Sequence, residues 1–213
     1  MLKFAPEGKP FIAVFFALTV VSIFVFGPMW TLVPLALLFF MLYFFRDPER
    51  VTPFEPGYIS PADGRILFTE HEPEEQFLGG RKVMKVSIFM SPFNVHVNRV
   101  PCDGEVVDVK HKPGSFMAAY RKEASWKNEN TAMHLKCDEG PDIVVRQVAG
   151  FVARRTVCRA KPGDRLERGA RYGIIKFSSR LDVYLPEDVE LKVKPGDRVY
   201  AGETILALQK EGG

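Results

Sequence analysis

Residues 171–186 read RYGIIKFSSRLDVYLP. Apolar and β-branched residues bracket two adjacent serines, the pattern of two strands meeting at a strained turn. The same texture extends outward from this stretch. Residues 65–68, 82–89, 105–109, 143–148, 173–177, 182–185 and 191–193 are short runs rich in valine, isoleucine, leucine and phenylalanine. Glycine, proline and aspartate separate them, as turns require. Helical periodicity is scarce after residue 50, and residues 117–127 are the one helix read there. The chain therefore predicts a mostly β domain with some α.

Ahead of that domain, residues 10–45 carry no charge. One straight helix of that length would run to about 54 Å, against a hydrocarbon core of about 30 Å. Gly27-Pro28 interrupts it near the middle. Two helices, 11–26 and 29–45, are the better fit, forming a transmembrane hairpin or one that dips into a single leaflet. Lys3 and Lys9 precede it, and Arg46 and Arg50 follow it. Positive flanks on one side place both ends, and the domain behind them, on the cytoplasmic face of the cell membrane. Trp30 and Tyr43 are suited to the two interfaces. A cleaved signal peptide fits poorly, because the apolar stretch is long and no A-x-A site follows. The division expected is an anchor at 1–46, a linker at 47–60 and a β domain at 61–213.

Net charge is +3 with a pI near 8.7. No block of like charge forms a nucleic-acid arm, so no nucleic-acid partner is expected. The mild cationic bias suits a protein lying against anionic lipid. Cys102, Cys137 and Cys158 are odd in number and far apart in sequence. None has zinc-site spacing, so free thiols in a reduced compartment and no metal are expected.

Two internal echoes sharpen the fold. Pro61-Ala62-Asp63-Gly64-Arg65-Ile66 is echoed by Pro101-Cys102-Asp103-Gly104-Glu105-Val106, and Lys161-Pro162-Gly163-Asp164-Arg165 by Lys194-Pro195-Gly196-Asp197-Arg198. Repeated hairpins with these turns, and the segment 196–207 above all, resemble the barrel-sandwich fold of lipoyl and biotinyl domains. Met84-Lys85 resembles the Met-Lys of biotin carriers, but lacks the flanking glutamate pattern and reads as ordinary strand.

Five further motifs occur in order: Phe44-Phe45-Arg46-Asp47-Pro48, Ser60-Pro61-Ala62-Asp63-Gly64, Met90-Ser91-Pro92-Phe93-Asn94-Val95-His96-Val97-Asn98-Arg99, Arg146-Gln147-Val148-Ala149-Gly150 and Phe177-Ser178-Ser179-Arg180. Together they resemble the phosphatidylserine decarboxylases in their short, membrane-anchored proenzyme form. That resemblance implies self-cleavage between Ser178 and Ser179, with Asp63, His96 and Ser179 cooperating. Ser179 becomes a pyruvoyl cofactor, and the two cleaved chains stay together as a heterodimer, with a higher oligomer also open. The cofactor takes the serine head group as a Schiff base and converts phosphatidylserine in the bilayer to phosphatidylethanolamine. Ser178 stands where the family's segment has glycine.

Each residue also has a plainer reading. Asp63 precedes Gly64 and suits a turn, as Asp103 does before Gly104. His96 alternates with Val95 and Val97 along a strand. Arg99 and Arg180 are substrate-binding candidates through their planar forks, or form salt bridges. Two other functions are compatible with the anchor and the turns: a membrane-tethered lipoyl-like scaffold without activity, and a decarboxylase of an archaeal ether-linked serine lipid.

Overall fold

The computed structural model describes residues 3–74, 76–151, 155–177 and 179–209. Ser178, one half of the expected cleavage site, lies outside the described residues. The chain divides into two compact units, residues 1–49 and 50–213.

The first unit is a helical hairpin, α1 (Lys9–Val25) and α2 (Pro28–Phe44). Gly27, at φ +77°, supplies the left-handed turn between them. The hairpin buries Leu38, Met41 and Phe44 together with a few hydroxyls, and turns most of its apolar side chains outward. Thr19, Ser22 and Thr31 are buried, and the Ser22 hydroxyl donates to Thr31 Oγ1 at 3.2 Å. Phe16, Phe24, Phe26, Trp30, Leu32 and Phe39 point outward. With the short turn before it, the first helix spans Pro6–Val25 and is long and apolar enough to cross a membrane; α2 is shorter.

The second unit is built on strands. In chain order they are β1 (Tyr58–Ile59), β2 (Gly64–Glu74), β3 (Arg81–Met90), β4 (Val97–Arg99), β5 (Gly104–Lys112), β6 (Asn130–Cys137), β7 (Ile143–Ala149), β8 (Thr156–Cys158), β9 (Arg165–Leu166), β10 (Arg171–Ile175), β11 (Ser179–Pro186), β12 (Glu190–Leu191), β13 (Arg198–Val199) and β14 (Ile205–Leu208). A curled eight-stranded sheet runs β13-β2-β3-β11-β7-β6-β5-β9 and forms a half-barrel. Two three-stranded sheets, β1-β14-β12 and β4-β10-β8, complete the unit. The mostly β class and the apolar helix pair match the reading of the sequence.

Two details differ from that reading. The stretch read as a linker, 47–60, contains β1, whose Tyr58 pairs with Ala207. The helix read at 117–127 is reduced to its last turn, α3 (Ala124–Lys127). The Asn128 side chain explains this: it accepts from the Met117 amide at 2.9 Å and donates to the Met117 carbonyl at 2.8 Å, while Arg180 takes the carbonyls of Ala119 and Arg121. Those groups are then lost to a helical ladder.

Alternation along β11 sorts its side chains. Leu181, Val183 and Leu185 join the main core with Ile66, Val86, Ile88 and Val145. Arg180, Asp182 and Tyr184 face the other way and are buried as well. Registers of Leu181 against Ile88 and of Ile88 against Ile66 stack the core across three strands. Ile88→Ala is expected to lower unfolding free energy by about 2–5 kcal/mol in chemical denaturation. Val107→Ala, at a half-exposed position, should stay within about 0.5 kcal/mol. Equal effects at the two positions would contradict this core.

Candidate active site

Ser179 opens β11 at the centre of the large sheet, paired with Met90 of β3 on one side and Ala149 of β7 on the other. It is fully buried. Among the described residues its hydroxyl has no hydrogen-bond partner. A buried hydroxyl left unsatisfied costs about 1–3 kcal/mol, so its retention calls for an explanation. The chain reaches it through Phe177, the one non-glycine described residue at positive φ, +68°. Left-handed backbone at a bulky residue costs roughly 1–2 kcal/mol. The strained turn is thus present, with its described strain at Phe177.

His96 approaches from the loop that follows β3. Asn94 shapes this loop, its side-chain oxygen accepting from both the Ser91 amide and hydroxyl at 2.9 and 2.8 Å. His96 is fully buried, its carbonyl accepts from the Ile175 amide at 3.4 Å, and its Nδ1 lies 3.0 Å from the Asn94 carbonyl. A carbonyl only accepts, so Nδ1 carries the proton in that bond. In the tautomer this bond selects, the lone pair lies on Nε2.

Asp63 is buried, and the Arg50 guanidinium donates to its Oδ2 at 2.9 Å and the Ala201 amide to its Oδ1 at 2.8 Å. Arg50 also reaches Glu203 at 2.7 Å. Arg99 packs into the same turn. A Cβ added at Gly202, where φ is +80°, would lie 2.7 Å from Arg99 Cδ, so this close approach needs glycine. Arg99 donates to the Gly169 carbonyl at 2.8 Å. The structure thus groups Asp63 and Arg99 at the 200–203 turn, and brings His96 to the chain segment leading into Ser179.

Arg180 is turned into the protein. It is fully buried, donates to the carbonyls of Ala119 and Arg121 at 2.9 and 2.6 Å, contacts the Ser125 hydroxyl, and pairs with Asp182 at 2.8 Å. Its fork braces the 116–127 loop, which runs against the expectation that it binds substrate. Burial alone would raise the Asp182 pKa. The Arg180 guanidinium, then Lys85, then the hydroxyls of Ser87 and Ser125 outweigh that and hold the carboxyl below its ordinary range. Lys85 is itself buried between Glu70 and Glu72, an ion-paired strand residue and not a displayed carrier lysine.

Sequence reading missed Arg50, Asp182 and a polar pair on the inner face. Arg50 was taken only as a flank of the apolar stretch. Asp182 had a signal, since it lies two residues from Arg180 and so on the same strand face. Gln147, register partner of Leu181, donates to Asn98 Oδ1 at 2.8 Å. The three cysteines are thiols, but they are not all apart: Cys102 and Cys137 have their sulfurs 2.8 Å from each other. The β5–β6 register, Gly104 opposite Cys137, brings them together. Among the described residues no group of acidic, histidine and cysteine side chains could hold a metal.

A β unit whose central strand begins at a buried serine behind a strained turn is suited to chemistry on its own backbone. Residues 37–207 match the family model for phosphatidylserine decarboxylase. The chain is 46% identical over 205 residues to the phosphatidylserine decarboxylase proenzyme of Geotalea uraniireducens, covering 96% of this chain and 95% of that one. It is 46% identical to the proenzyme of Symbiobacterium thermophilum, covering 95% and 94%, and 45% identical to that of Nitrosomonas europaea, again covering 95% and 94%. The chain belongs to the phosphatidylserine decarboxylase family.

Asp182→Asn leaves Arg180 buried without its counter-charge and is expected to cost about 3–5 kcal/mol at neutral pH. Because the folded pKa is the lower one, this stabilisation is complete above the ordinary carboxylate pKa of about 3.9 and fades as pH falls through the folded value. Denaturation of both proteins across pH checks this: their difference should be constant from neutral to mildly acidic pH and shrink only in stronger acid.

Proposed function

We propose that this chain is a proenzyme that cleaves itself before Ser179 and then decarboxylates phosphatidylserine to phosphatidylethanolamine. The observation that carries the reading is the buried Ser179 hydroxyl, without a hydrogen-bond partner among the described residues, behind the left-handed Phe177. A serine hydroxyl is a poor nucleophile until a base takes its proton. His96, with its lone pair directed to Nε2, is assigned as that base. Asp63 is assigned to support the charge that develops. Attack of Ser179 Oγ on the carbonyl of residue 178 exchanges the amide for an ester. Loss of the Ser179 α-proton then expels residue 178 as a carboxylate, and water replaces the remaining enamine nitrogen, releasing ammonia and leaving a pyruvoyl cap.

The residues present fit such a group: its position is enclosed, and no competing donor among the described residues claims the Ser179 oxygen. The pyruvoyl group supplies an electron-accepting ketone to which the amine of the lipid's serine attaches. His96 is assigned the return of a proton after CO2 leaves. Asn98 and Gln147 supply polar lining on the inner face. Arg99, fixed beside Gly202, is assigned to the anionic part of the substrate.

Cleavage need not separate the chains. The smaller fragment, 179–213, begins with β11 and carries β12, β13 and β14. β11 stays laddered to β3 and β7, β13 to β2, and β14 to β1. We assign the helical hairpin as the membrane anchor, since its outward apolar faces have no aqueous rationale. The domain would then work at the cytoplasmic surface, where its substrate's acyl chains remain in the bilayer.

A denaturing gel of the expressed chain should show two fragments meeting at residue 178, which co-purify under native conditions. Purified protein should release CO2 from carboxyl-labelled phosphatidylserine, and Ser179→Ala should abolish both events. An intact chain that releases no CO2 would refute the proposal. Phe177→Gly, which relieves the left-handed strain, should slow cleavage by roughly fivefold if that strain drives attack. Unchanged kinetics would assign Phe177 to packing alone.

A further inference from the structure

Three exposed phenylalanines lie on the three loops around Ser179. β3 and β7 both run antiparallel to β11, so they end at the same edge of the sheet. Met90 and Ala149, their last residues, flank Ser179. Phe93 lies three residues beyond Met90 and is 67% exposed; Phe151 lies two residues beyond Ala149 and is 77% exposed. Phe116, 39% exposed, sits on the loop that Asn128 ties to the Ala149 carbonyl. Ring exposure on this scale, repeated on separate loops at one edge, is not scatter.

Cations share that edge. Arg155 is exposed, and its carbonyl accepts from the Lys176 amide, one residue before Phe177. Arg121 is exposed on the Phe116 loop, which Arg180 holds by the Arg121 carbonyl. Aromatic rings with basic side chains around them match the interface of an anionic bilayer, where rings enter the head-group layer and cations meet phosphate and carboxylate.

We infer that Phe93, Phe151 and Phe116, with Arg121 and Arg155, form a collar that seats the mouth of the site on an anionic phospholipid surface. This rests on the proposed lipid decarboxylation and goes beyond it. The collar solves a specific difficulty. Ser179 is fully buried, and the head group must reach it while the acyl chains stay in hydrocarbon. A site edge pressed into the head-group layer shortens that path.

The test uses the full chain carrying Phe93→Ser and Phe151→Ser, reconstituted in vesicles. Self-cleavage should proceed as in the parent. Decarboxylation of long-chain phosphatidylserine in vesicles should fall roughly tenfold, the scale expected for withdrawing two partly buried rings from an interface. Decarboxylation of dihexanoyl phosphatidylserine, presented as soluble monomers, should change less than about twofold. As a readout without turnover, Phe151→Trp should show extra fluorescence quenching by brominated lipid over the parent chain. Equal losses on both substrates, no loss on vesicles, or a lower oligomeric mass of the double variant in detergent would each overturn the collar; the last would assign the rings to a subunit contact. If the parent chain releases no CO2 from either substrate, the decarboxylase reading itself has failed.

Discussion

The burial of β11 on both faces is the constraint from which the rest follows. One face carries Leu181, Val183 and Leu185 into the core; the other carries Arg180 and Asp182 into an internal ion pair. Such a pair adds little net stability over well-packed apolar residues, because two charges must be stripped of water. Its contribution is positional. Arg180 reaches the carbonyls of Ala119 and Arg121 and the Ser125 hydroxyl, so the strand cannot slide without breaking several charged hydrogen bonds. Ser179, next in the chain, is fixed as a consequence.

That arrangement reconciles two demands that pull against each other. A backbone break in the middle of a sheet should weaken it, yet among the described residues the ladders on either side of β11 begin at Ser179. Among the described residues the backbone strain sits at Phe177, ahead of the strand. The proposed cut therefore falls between a strained approach and a fully paired strand, where relieving the first costs the second little. His96 enters from a loop braced by Asn94, which directs its basic nitrogen by occupying the other one.

Much of this was legible in the sequence, and the failures have physical causes. The short Val-, Ile- and Phe-rich runs at 82–89, 143–148 and 182–185, bounded by turn residues, located the three central strands, because strands buried on both faces read as near-continuous apolar runs. β6 was missed: Asn130, His134 and Lys136 dilute its alternation, and its identity comes from pairing with β5 and β7. The 117–127 helix failed because Asn128 and Arg180, distant in sequence, claim its backbone groups. Ser179, Asp63 and His96 could be named from motifs, but Arg50 as the partner of Asp63 could not. Its charge was fully accounted for by the apolar stretch before it. Likewise nothing in the spacing of Cys102 and Cys137 revealed their contact, which only strand register creates.

The two units have opposite logic. The hairpin buries Thr19, Ser22 and Thr31 alongside Leu38, Met41 and Phe44 and displays most of its large apolar side chains, while the β unit hides its apolar core. Joining them in one chain suits a reaction whose substrate is half lipid and half amino acid. The α-keto terminus proposed to arise from Ser179 is what links these features, and mass spectrometry of the smaller fragment after phenylhydrazine treatment addresses it directly. A species comprising residues 179–213, with its first residue converted to a ketone and carrying one hydrazone adduct, is the predicted result. A fragment beginning with an ordinary, unreactive serine, or a chain that stays whole, would contradict it.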